Sequence, residues 1–81
     1  MDIRDKREAI REIQSFLLKI SYGVVGFPHI TIDGIYGKET EAAVRYFQSL
    51  YDLPITGTVD FLTFLALFDA YDEKEEAVPS E

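Results

Sequence analysis

Chemistry first suggests itself in the stretch Ile32 to Gln48, IDGIYGKETEAAVRYFQ, with His29 just ahead of it. It offers an Asp-Gly pair, several carboxylates, a tyrosine and Arg45 within a short span. A calcium loop of the EF-hand type needs oxygen ligands at positions 1, 3 and 5, glycine at 6 and a bidentate glutamate at 12. With Gly34 at position 6, Asp33 fits position 5, but positions 1, 3 and 12 fall on His29, Thr31 and Thr40. Calcium is excluded at this loop. Zinc needs several His or Cys ligands, and the chain has one histidine and no cysteine. His29 has no serine or cysteine at a recognisable nucleophile spacing. Asp33 and Glu39 could form a carboxylate pair. They are better read as a turn residue and as first-turn acidity favoured by the helix dipole. No catalytic residue, metal or cofactor is expected.

The remaining chemistry is binding. Aromatic rings pack on apolar sugar faces while tyrosine hydroxyls form hydrogen bonds, and arginine pairs with carboxylates. Phe27, His29, Asp33, Tyr36 and Arg45 form the candidate ligand-binding set. Tyr22 and Tyr46 are further surface aromatics, and Phe47, Phe64 and Phe68 phase toward the core.

Three helices must position these residues. Ile10, Ile13, Leu17 and Ile20 recur at helical spacing, which predicts a helix over 6–21. Asp5 with Glu8 reads as a capping box, and Gly23 as a left-handed C-cap. The second helix starts near Lys38, with Ala43, Val44, Phe47, Leu50 and Tyr51 on one face and Glu41–Arg45 as an i, i+4 pair. Pro54 ends it before Leu53. Asp60 is the N-cap of a third helix over 61–71, apolar nearly all round and so expected to be central. An Asp-Gly hairpin would need alternating strands on both sides, and the helical period after Gly37 excludes it. Asp33-Gly34 is therefore a tight turn, Gly37 an N-cap, and Thr40 an N3 residue whose hydroxyl bonds back to the open helix end. The pattern recurs 23 residues later: Ile32, Gly34, Gly37, Thr40 and Ala43 lie over Ile55, Gly57, Asp60, Thr63 and Ala66. The fold class is all-α, a compact three-helix domain over 1–71 with two pseudo-repeated turn-helix units. Residues 72–81 read as an acidic disordered tail or linker stub.

Charge narrows the partners. The chain of 81 residues has a net charge of −7, of which the last 13 residues supply −5. The body is nearly neutral and its basic residues are scattered, which excludes nucleic acid. No apolar run approaches a membrane span, and the N-terminus lacks a signal-peptide layout.

This ordered series resembles the small peptidoglycan-binding-like domains of bacterial wall hydrolases and phage lysins. The resemblance runs through Ile13-Gln14, Leu17 and Ser21-Tyr22, then Asp33-Gly34, Gly37, Thr40, Ala43-Val44 and Phe47-Gln48. It ends with Gly57, Thr63 and Ala66-Leu67, and covers about residues 6–71. The chain departs from the family at Ser21, where glycine is usual, at Phe64, where tryptophan is frequent, and in a longer loop between Tyr22 and Asp33. The resemblance implies a non-catalytic, monomeric module that binds peptidoglycan, by glycan or stem peptide, and brings an attached protein or catalytic domain to the wall. It implies a cell-wall or extracellular location for a longer secreted protein, with cytoplasmic and phage-associated settings left open. The alternative is a protein–protein interaction module on the same fold.

Overall fold

The computed structural model describes residues 6–75, with side chains through residue 71. Three helices follow one another: α1 (Lys6–Ser21), α2 (Lys38–Leu50) and α3 (Phe61–Glu75). Among the described residues there is no strand, and no helix is long and apolar enough to cross a membrane. Asp5, and with it the expected capping box, lies outside the described residues, as do residues 76–81.

The core gathers the apolar stripe of each helix. Leu17 and Ile20 from α1, Ala43, Val44 and Phe47 from α2, and Leu67 and Ala70 from α3 are buried, with Ile30 from the long loop. Helix α1 packs against both others, so it is the central element. The expectation that α3 is central is corrected. Among the described side chains of α3 only Thr63, Leu67 and Ala70 are buried, whereas Phe64 and Phe68 are 42% and 52% exposed. A helix apolar on every side has no phase, so periodicity could not say which face would be covered. Leu50 and Tyr51 are also more exposed than their phasing on α2 implies, although the Tyr51 ring stacks on Phe47 at 4.5 Å.

The helix ends show how the chain turns. Helix α1 runs out through successive tight turns: Tyr22, Gly23 and Val24 N–H donate to the Lys19, Ile20 and Ser21 carbonyls. Such i to i+3 closures need no positive φ, so Gly23 is not the left-handed cap that was expected. The first left-handed glycine after α1 is Gly26. Helix α2 ends in a Schellman arrangement on a non-glycine residue. Asp52 has φ of 61°, and Leu53 N–H donates to the Gln48 carbonyl at 2.9 Å. Helix α3 continues four residues past its expected end, through Asp-Glu-Lys-Glu, where no glycine or proline stops it.

Candidate functional site

Two buried glutamines organise the loops. Gln14 lies on the apolar stripe of α1, fully buried. Its Oε1 accepts from Asp33 N–H at 3.0 Å and Gly34 N–H at 2.9 Å. Its Nε2 faces Asp33 Oδ1 at 3.1 Å, the Ile35 carbonyl at 3.0 Å and Thr40 Oγ1 at 3.0 Å. Gln48, equally buried on α2, repeats this one unit later. Its Oε1 accepts from Thr56 N–H and Gly57 N–H at 2.9 and 3.0 Å. Its Nε2 faces Thr56 Oγ1, the Thr58 carbonyl and Thr63 Oγ1 at 3.1, 3.0 and 2.9 Å. In each unit, an amide from the preceding helix grips the turn that starts the next helix. Gly34 and Gly57 make this possible with φ of 78° and 79°, a backbone that side chains disfavour. No buried side-chain polar atom among the described residues lacks a partner.

The turn residues take the places this grip demands. Asp33 Oδ1 accepts from Ile35 N–H at 2.9 Å. That bond first, and the Gln14 amide second, hold its carboxyl below the ordinary aspartate range. Asp60 caps α3, accepting from Thr63 N–H at 2.9 Å, and Thr63 likewise lowers its pKa. Gly37 is the N-cap of α2, with no side-chain cap bond. Thr40 differs from expectation. Its hydroxyl donates to the Ile35 carbonyl at 3.2 Å and accepts from Gln14. It joins turn to helix as a relay for the glutamine, in place of the expected bond back to the open helix end.

The five candidate ligand residues fall into separate groups. Phe27 is half-buried against the core and meets Tyr46 edge-on at 5.3 Å, while the Tyr46 hydroxyl donates to the Val25 carbonyl at 3.3 Å. His29 has a side chain 79% exposed, with Nε2 3.8 Å from Glu39 Oε2 and 3.3 Å from Thr31 Oγ1. Thr31 N–H donates to the other Glu39 oxygen at 3.0 Å. Tyr36 donates its hydroxyl to the Gly57 carbonyl at 2.6 Å, bridging the two turns. Burial, and then the nearby Glu41 carboxylate, push its pKa up to about 12. Arg45 pairs with Glu41 through Nε and Nη2 at 3.4 and 3.3 Å. A Cβ on Gly57 would lie 3.0 Å from Arg45 Nε and from Glu41 Oε2. Tyr36 and Arg45 therefore meet around Gly57 and Glu41. Phe27 and His29 pair with Tyr46 and Glu39 instead, and the Asp33 carboxylate is engaged inside the first turn.

Sequence reasoning gave Gln14 and Gln48 no bonding role; it read Glu39 as first-turn acidity and Glu41 as the i, i+4 partner of Arg45, and the latter pair is present. The signal for the glutamines was present: an amide placed in phase with Ile10 and Leu17, and another in phase with Val44, must bond something if buried. Among the described residues no group of three or more His, Asp or Glu could hold a metal ion.

A three-helix body with two gripped turns and an aromatic, mixed-charge edge defines a small helical binding domain. A family model described as "Putative peptidoglycan binding domain" matches residues 6–67, and the chain belongs to that family. A curated relative, the "Putative OxPP cycle protein OpcA" of Synechococcus elongatus, is 43% identical over 47 residues, covering 58% of this chain and 11% of that protein. The chain thus spans about a tenth of the length of the curated relative it matches. No solved structure matches significantly.

Proposed function

We propose that the chain is a non-catalytic peptidoglycan-binding module that targets or tethers an attached protein or enzyme to the bacterial cell wall. The observation that carries this is the family match over 6–67. The Tyr46–Phe27 pair and the Tyr36 ring offer faces to glycan. Arg45 keeps further N–H donors for a stem-peptide carboxylate beyond those facing Glu41. His29 and Glu39 line the neighbouring rim, and Asp33 shapes the turn between them. One such patch gives weak affinity, which avidity and tethering to the wall offset.

The test is sedimentation of the folded domain with purified sacculi, stripped of teichoic acid, across a range of salt. Co-sedimentation at moderate salt that drops for Arg45→Ala supports the module and its site. A folded domain that stays in the supernatant at every salt concentration rules the reading out.

A further inference from the structure

Helix α3 carries two apolar stripes, and the fold uses one. Phe61, Phe64, Leu65 and Phe68 are spaced i, i+3, i+4 and i+7 and face outward; Phe61 is 73% exposed. Beside them, a groove of about 450 Å³ runs between α1 and the start of α3, floored by Ile13 and Phe16. Phe61 and Phe64 belong to both groove and stripe, so the two form one continuous apolar surface. It extends through rings already in register: Phe64 stacks toward Phe68 at 6.5 Å, and Phe68 meets Phe16 at 6.5 Å. Large contiguous apolar surfaces are uncommon on monomeric proteins and mark interaction sites.

The charges around it choose the occupant. Glu12 and Asp60 are the charged residues lining the groove, with no lysine or arginine among its walls. Both are exposed at its rim, and Asp69, also exposed, follows the far end of the stripe. A second copy would present the same acidic margin. Antiparallel pairing of two α3 helices would set Asp60 of each against Asp69 of the other, within chains of net charge −7. We propose that this surface docks an amphipathic helix of a partner protein, with bulky apolar residues at helical spacing flanked by lysine or arginine. The groove and stripe share no residue with the edge assigned to wall binding, so either reading can fail without the other.

The probe is a synthetic, fluorescently labelled amphipathic helix of about five turns, with leucine and tryptophan on one face and lysine flanks. Its control has the same face with glutamate flanks. Titration into the folded chain, followed by anisotropy and amide chemical shifts, should show the lysine peptide binding about tenfold or more tightly than the control. Shifts should centre on Ile13, Phe16 and Phe61. Phe64→Asp should weaken binding at least about tenfold, and Glu12→Lys by a smaller factor, with sedimentation on sacculi unchanged. Should Phe64→Asp lose its helical circular dichroism, Leu65→Lys reads the same stripe. Equal affinity for both peptides, no binding, or shifts confined to other faces would overturn the proposal. So would a dimer of the parent chain that dissociates in either stripe variant, since the occupant would then be a second copy.

Discussion

Replacing Gln14 by leucine keeps roughly the volume of a core side chain and removes every bond that grips the first turn. Asp33 and Gly34 N–H would lose the Gln14 oxygen, and Thr40 its buried donor. Each unpaired buried group costs about 1–3 kcal/mol. We expect Gln14→Leu to lose about 3 kcal/mol or more in urea unfolding, and Gln48→Leu a similar amount; a loss under about 1 kcal/mol would contradict the grip. Thr40→Ala removes one relay hydroxyl and should cost about 1–2 kcal/mol. Its amide shifts should move at Ile35 and at the Gln14 side chain, where a helix cap would move only the first turn of α2. At this scale the sequence was legible in part. Asp33, Gly34, Gly37, Asp60 and Thr63 do hold the turns, because their constraints are local backbone ones. The partners of Gln14 lie 19 to 26 residues away, and local pattern carries no information about contacts that the fold alone creates.

At the scale of elements, the starts of α2 and α3 were readable at Lys38 and Phe61, since caps and breakers act within a turn of the chain. Burial on α3 was not readable, because phenylalanine and leucine occupy both of its faces. The two stripes separate by mutation. Leu67→Ala, fully buried, should cost about 2–4 kcal/mol in chemical denaturation, whereas Phe68→Ser on the bare stripe should change stability by less than about 1 kcal/mol. The end of α2 gives a test of opposite sign. Asp52 holds a left-handed φ that glycine adopts without steric cost, so Asp52→Gly should raise stability by about 0.5–1 kcal/mol. A lower melting temperature for that variant would show that the aspartate side chain does something the backbone does not require.

The whole molecule responds to pH through the groups that join its parts. The pKa of Tyr36 is raised from 10.0 to about 12, so the folded state holds this proton more tightly than the unfolded chain. Its contribution is complete below pH 10 and is lost as pH rises through about 12. Urea unfolding across that window should show the parent losing more stability than Tyr36→Phe, and parallel losses would remove the bridge to Gly57 as the cause. Asp33 and Asp60 act at the other end: with pKa values below 3.8, their contribution is present above that value and fades as pH falls beneath it. The two turn-helix units also set the register of the last described side chain of α3. Carried forward by the same 23 residues, Gln48 falls on Tyr71. Tyr71 has no amide with which to repeat the grip of Gln48. Its ring lies 4.6 Å from Phe16, and Lys19 Nζ sits 5.1 Å above it, so the side chain folds back onto the first helix. Where the first two helices each spend an amide on holding the next turn, the third spends a ring on holding the first helix, so one register position serves as clasp in one unit and as anchor in the other.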